Sequence, residues 1–325
     1  MAMSTRIPLP PFPNGWYLVA LSRDVTPGSV LARQYFGQDI VIYRTQSGIP
    51  VVIDAYCPHL GAHLGYGGAI EGENIVCPFH GWKYGPDGAC AAMPYGGDKI
   101  PPRAVLKTWH VREQDDTILA WFDAAGRPPS WEMPRFEHNE PFTPTRAHKF
   151  DSYASHPYEI MENSADGAHF RTVHDTQHMR YAALPKLDGP FYRVTFRSDE
   201  TGIADEYLDP GRMGGSYELG GNGPGLSFGI FAGDQTNFRT LSRHYVTPID
   251  GELVDAWILS QISELDDPAA TEQVADGVMA ATIGQIEDDI VIWRAKRHLP
   301  APAVNSEEAP IMLMRRWYKQ FYETA

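Results

Sequence analysis

Cysteine is scarce in this chain, with three residues among 325. Two of the three stand beside histidines, and Cys90 has no evident partner, so a disulfide framework does not organise the fold. That fits a reducing, cytoplasmic setting. Positive charge is also short. Lys and Arg number 27 against 41 Asp and Glu, for a net charge of −14, which speaks against nucleic acid or an anionic membrane as the main partner. No apolar run is long enough to span a bilayer, and residues 1–13 hold prolines where a signal peptide would need its apolar core. Residues 211–229 are glycine-dense, yet they contain no G-x-G-x-x-G and no strand–turn–helix unit frames them. A nicotinamide site is therefore not supported; a hairpin or flap beside a pocket fits better. A hydrophobic fraction of 43% can fill two cores in a chain of this length.

What is present is metal-ligand chemistry, in two places. The first is the pair Cys57-Pro58-His59 and Cys77-Pro78-Phe79-His80, the latter followed by Gly81-Trp82. Two thiolates and two imidazoles are the donor set of a Rieske [2Fe-2S] cluster, with the sulfur ligands on one iron and the nitrogens on the other. Structural zinc also takes Cys₂His₂ sets, usually in the order Cys-Cys then His-His; here each cysteine precedes its own histidine. Glycines 61, 65, 67, 68 and 81 would let backbone approach such a cluster, although ordinary turn chemistry explains most of them equally well. His63 lies in the first loop but exceeds the four ligand positions, so it is read as non-ligating.

The second is the stretch from Glu162 to His174, with Asn163, Asp166, His169 and His174 in a run of helix formers. On one helix, Asn163, Asp166 and His169 step three residues at a time and share a face. His174 could join His169 at one ion only if the helix ended or bulged near Thr172-Val173. Two imidazoles and a carboxylate form the facial triad of non-haem ferrous iron. The bland alternative is a partly buried helix with satisfied histidines. The carboxylate must come from elsewhere, and Glu287, Asp288 and Asp289 compete. Residues 275–297 read as a helix with Met279, Ile283, Ile286, Ile290 and Trp293 as its core stripe. Asp288 then points to the solvated side, while Glu287 and Asp289 flank the stripe. The shorter Asp289 is favoured.

With both signatures present in this order, the chain resembles the catalytic subunit of a Rieske non-haem iron oxygenase from about Trp16 onward. Respiratory-type Rieske proteins carry an extra cysteine pair beside the cluster; Ala62 and Phe79 stand at the matching positions here, so that staple cannot form. The C-terminal patterns 287–293 and 315–322 resemble the 3-ketosteroid 9α-hydroxylase oxygenase component and the cholesterol 7-desaturases. This resemblance implies a [2Fe-2S] cluster on Cys57, His59, Cys77 and His80, and a mononuclear Fe(II) on His169, His174 and an aspartate that aligns with Asp289. It further implies that Asp166 bridges an iron histidine to a cluster histidine of a neighbouring subunit in a homotrimer, and that Asn163 supports the iron site. A flavin-dependent reductase, directly or through a ferredoxin, would supply electrons. A large apolar, steroid-like substrate hydroxylated with O₂ is the leading expectation, with an aromatic acid as the runner-up. A Rieske electron carrier and a zinc-binding module are the readings from other classes.

The expected fold is α+β. An all-β Rieske domain with an N-terminal arm would occupy residues 1–130, with strands at Trp16–Ala20, Ile40–Tyr43 and Val51–Ile53. A linker near Gly126–Pro134 would lead to a helix-grip catalytic domain over 131–325. Its predicted parts are a strand at 147–158 leading into the iron helix, strands at 191–196, 226–231, 238–246 and 254–262, a long helix over 268–298 and a final helix at 307–322. Tyr217, Phe228, Phe231, Phe238 and Trp257 are candidates for pocket lining or plain core.

Overall fold

The computed structural model describes residues 6–97, 99–174, 179–198, 215–233 and 237–322. The chain divides into two compact units, one of residues 14–135 with 249–251, the other of residues 1–13, 136–248 and 252–325.

In the first unit, strands β1 (Gly15–Leu21), β10 (Thr117–Phe122) and β9 (Val111–Gln114) form one antiparallel sheet. A second joins β2 (Val30–Tyr35), β3 (Gln38–Arg44) and β4 (Pro50–Asp54). A smaller sheet runs β5 (Ala69–Glu71), β6 (Asn74–Val76), β7 (Lys83–Tyr84) and β8 (Cys90–Ala92). Val41, Tyr43, Val51 and Ile53 share a buried cluster with Leu64, Ile75, Trp82 and Tyr84. The sequence linker is not a free tether. Met133 is buried, and the Trp131 carbonyl accepts from the Trp16 indole at 3.0 Å.

The second unit is built on an eight-stranded antiparallel sheet. Its order is β11 (Arg146–Ala154), β18 (Leu253–Ile262), β17 (Arg239–Pro248), β16 (Leu226–Gly233), β15 (Gly215–Asn222), β14 (Phe191–Ser198) and β12 (Met179–Tyr181), with β13 (Lys186–Asp188) also on β14. The glycine-dense stretch is indeed a β15–β16 hairpin whose turn uses Gly223 at φ 72°, a backbone state open to glycine. Residues 211–214, which share in the flap expectation, lie outside the described residues.

Among the described residues, four α-helices cover one face. Helix α3 (Pro268–Trp293) sets Met279, Ile286, Ile290 and Trp293 against Val246, Val254, Ala256 and Ile258. Helices α1 (Pro157–Asn163) and α4 (Ala309–Tyr318) set Tyr158, Met161, Met314 and Trp317 against Tyr192, Val194 and Phe196. Helix α2 (Gly167–Thr172) follows α1. The arm belongs with this unit. The Pro10 carbonyl lies 3.1 Å from His156 Nε2, while Nδ1 of the same ring caps α1 by accepting from the Tyr158 N–H at 3.0 Å. Burial lowers the His156 pKa to about 4, so the neutral ring can accept at one nitrogen and donate at the other.

One expectation fails. The single helix through Glu162–His174 is two helices, broken at 164–166. Asp166 is the N-cap of α2, its carboxylate accepting from the N–H groups of Ala168 and His169 at 2.9 and 3.3 Å. The Tyr181 hydroxyl bridges the break, donating to the Ala165 carbonyl at 2.7 Å and accepting from the Gly167 N–H at 2.9 Å. Gly167 itself is wedged against Tyr181 and Phe196, where a Cβ would sit 3.0–3.2 Å from ring carbons. Asn163, Asp166 and His169 therefore share no continuous helix face.

Candidate metal centres

The two loops of the first unit are built alike. The Cys57 N–H donates to the Ala62 carbonyl and Gly61 N–H to the Cys57 carbonyl; Cys77 with Trp82 and Gly81 with Cys77 repeat the pattern, all at 2.8–2.9 Å. Gly61 and Gly81 close these turns at φ 75° and 72°. Both thiols are buried. The His59 and His80 rings stand 4.8 Å apart, and Trp82 stacks on His59 at 4.3 Å. Nδ1 of each histidine is buried without a hydrogen-bond partner, which leaves two nitrogen lone pairs free to coordinate. Burial pushes the Cys57 thiol pKa up; the Tyr84 hydroxyl, 3.2 Å away, opposes that shift, and Cys77 adds to it. Two neighbouring buried thiols become good thiolates when a cation takes their charge. The donor set fits an iron–sulfur cluster. His63 accepts from the Gly65 N–H through Nδ1 and packs against Tyr56 and Tyr66 instead.

In the second unit, His169, His174 and Asp289 bring one ligand atom each to within 4.8 Å of one another. Helix α2 ends at Thr172 with Val173 as its C-cap, which is the early stop that His174 needs to reach the same point. His174 Nε2 lies 3.4 Å from Asp289 Oδ2. Of the three consecutive acids 287–289 on α3, Asp289 is 3% exposed while Glu287 and Asp288 face solvent.

The histidine and amide hydrogens are consistent with one pattern. His169 Nδ1 donates to the Asp166 carbonyl at 2.6 Å, so its Nε2 carries the lone pair. Asn163 Nδ2 donates to that Nε2 and to Asp289 Oδ2, both at 3.0 Å. A donor thus sits where two lone pairs converge, the environment a cation would take. Burial lowers the His169 pKa, against the pull of Asp289 and Asp166, and keeps the ring a neutral ligand. The resemblance had the Asp166 carboxylate holding an iron histidine; here its backbone carbonyl holds His169, and Oδ1 of the carboxylate caps α2.

Sequence reasoning missed what anchors α1. Glu162, which precedes Asn163, accepts from Tyr158 Oη (2.5 Å), Lys296 Nζ (2.8 Å) and Arg315 Nε (2.6 Å). Lys296 also pairs with fully buried Glu159 at 2.7 Å. No local signal marks this group, since its two cationic partners, Lys296 and Arg315, are more than a hundred residues away.

These two centres define a class, the Rieske-type non-haem iron oxygenases. The chain is an oxidoreductase that carries a Rieske [2Fe-2S] cluster and a mononuclear iron. Within that class it belongs to the family with a 3-ketosteroid 9alpha-hydroxylase C-terminal domain, whose profile matches residues 120–322, while the Rieske [2Fe-2S] domain profile matches 15–109. It is 33% identical to cholesterol 7-desaturase nvd of Bombyx mori over 98% of this chain and 71% of that protein. It is 29% identical to the 3-ketosteroid-9-alpha-monooxygenase oxygenase component of Rhodococcus rhodochrous, covering 96% and 83%. Dicamba monooxygenase bound to dicamba shares the fold, with a TM-score of 0.75, 18% identity, and coverage of 94% and 96%. No helix among the described residues is long and apolar enough to cross a membrane.

Proposed function

We propose that the chain hydroxylates a large apolar, steroid-like molecule with O₂, using electrons from a flavin-dependent reductase, directly or through a ferredoxin. The observation that carries this is the convergence of His169, His174 and Asp289 within 4.8 Å in a chain of the 3-ketosteroid 9alpha-hydroxylase family. Cys57, His59, Cys77 and His80, within residues 1–130, hold the cluster; His169, His174 and Asp289, within 131–325, hold the iron. When bound, these groups supply single electrons and a redox-active centre for oxygen chemistry.

The chain's own residues do the positioning. The Asp166 carbonyl fixes the His169 tautomer and ring. Asn163 orders the Asp289 carboxylate through its amide. Burial of Asp289, with the His174 side chain 3% exposed, keeps bulk water from the reacting centre. Asp166 serves as the link to a cluster histidine of the next subunit in a closed ring of three, a heterologous interface of the kind that closes into cyclic oligomers.

The test is oxygen and NADH consumption with a surrogate reductase, across steroids and aromatic acids, with products weighed by mass spectrometry. Gain of one oxygen atom on a steroid supports hydroxylation. Loss of two hydrogens assigns desaturation, the reaction in the name of the Bombyx mori relative. Turnover of aromatic acids alone refutes the steroid reading.

A further inference from the structure

The register of the sheet places a third imidazole, half-buried, beside the iron site. Pairing of β17 with β16 and β18 sets Ser227, His244 and Ile258 abreast, so their side chains share a face. Ile258 and its same-face neighbours Val246 and Ala256 pack against α3, so His244 points toward the helices. Helix α1 lies over β16 and β17, and α3 carries Asp289. His244 thus sits between the helices that bear Asn163 and Asp289.

The next row on this face is made of small residues. Ser260, Ser242 and Gly229 stand side by side, and a Cβ on Gly229 would meet only the Leu219 side chain, at 3.0 Å. Tyr217 and Phe231 lie abreast beyond them, also facing the helices. Phe228 and Trp257, on the opposite face of the sheet, do not. Phe228 packs outward with Phe136 and Arg193, and Trp257 with Lys149. A sheet face with small residues at its centre and aromatics at its edge suits a flat apolar molecule.

Within this apolar setting, Nε2 of His244 is buried and has no hydrogen-bond partner, a state that costs free energy until a partner arrives. Burial lowers its pKa to about 4 even against the opposing field of Asp289. The neutral ring can donate to a carbonyl or accept from a hydroxyl, but brings no positive charge for a carboxylate.

We propose that His244 is a substrate-binding residue whose Nε2 hydrogen-bonds a hydroxyl or carbonyl oxygen of an otherwise apolar substrate lying over Ser242 and Gly229. This rests on the steroid-like reading above and adds the polar handle by which such a molecule is gripped. A site built to pair with a hydroxyl discriminates strongly against the analogue that lacks it.

The test uses the metal-loaded protein and its His244→Phe and His244→Gln variants. Each is titrated with cholesterol and with 5-cholestene, its analogue without the hydroxyl, both delivered from cyclodextrin and followed by tryptophan fluorescence. His244→Phe should weaken cholesterol binding about 10–100-fold and leave 5-cholestene within about twofold, with iron content unchanged. His244→Gln, which keeps a donor and an acceptor, should recover part of the loss. Equal weakening of both probes, no weakening of either, or loss of iron from both variants overturns the assignment. Failure of the unsubstituted protein to bind either probe instead refutes the steroid reading, and the assignment falls with it.

Discussion

Glu162→Gln isolates what holds the iron-site helix in place. The substitution keeps the side chain's shape and removes its charge. Glu162 is 5% exposed and takes three donors on its two oxygens, two of them cationic. In the variant, Arg315 Nε and Lys296 Nζ face an amide that cannot accept on both sides. Breaking one partner of a buried ion pair costs about 3–5 kcal/mol, and for a unit of this size each kcal/mol lowers Tm by about 2–4 °C. The catalytic unit's calorimetric transition should therefore fall by roughly 6–20 °C. Burial alone would raise the Glu162 pKa, but Arg315 and Lys296 outweigh it and hold the carboxyl below its ordinary value. A depressed folded-state pKa contributes stability above the unfolded pKa of about 4.3, lost as pH falls through the folded value. The Tm gap between the two proteins should be constant from about pH 6 to 8 and close only below about pH 4. Because Asn163 is the next residue, mononuclear iron should also bind more weakly, with the cluster spectrum unchanged. A Tm within about 1 °C of the parent at pH 7, against the roughly 6–20 °C drop expected, would show that these ion pairs do not hold α1 in place.

Glu159→Gln should cost less than Glu162→Gln. Burial raises the Glu159 pKa more than Lys296 restores it, so its contribution is full below the unfolded pKa and fades as pH rises through the folded one; the Tm deficit of the variant should shrink from pH 4 to 8. Asp166→Asn keeps an amide able to cap α2, so both centres should load while electron transfer from cluster to iron, read by single-turnover kinetics, collapses; normal transfer would remove Asp166 from the path. Tyr84→Phe deletes the hydroxyl beside Cys57 Sγ and should lower the cluster's reduction potential by voltammetry; an unchanged potential would show that this contact does not tune the cluster.

The donor sets were legible because coordination chemistry restricts which residue types can serve. Cys57, His59, Cys77 and His80 announce themselves by spacing, and helical phase was enough to separate buried Asp289 from exposed Asp288. The break between α1 and α2 was partly written in Asp166-Gly167, a cap before a glycine. The Tyr181 hydroxyl bridges the break from β12, a contact that no local pattern carries. Glu162 read as one more helix former because Lys296 and Arg315 meet it only after the chain has closed. His244 was invisible for a similar reason. Alternation along β17 shows that it shares a face with Val246, but only the register with β18 shows that this face turns toward α3.

His169, His174 and Asp289 are proposed to hold one iron apart from the cluster. The direct measurement is iron per chain, with Mössbauer spectra, for the reconstituted protein and for Asp289→Ala. The variant should lose the mononuclear ferrous signal and all turnover while the cluster's two irons and visible spectrum persist, and Asp288→Ala should keep all three irons. Retention of the mononuclear iron and of activity in Asp289→Ala would remove Asp289 from the iron site.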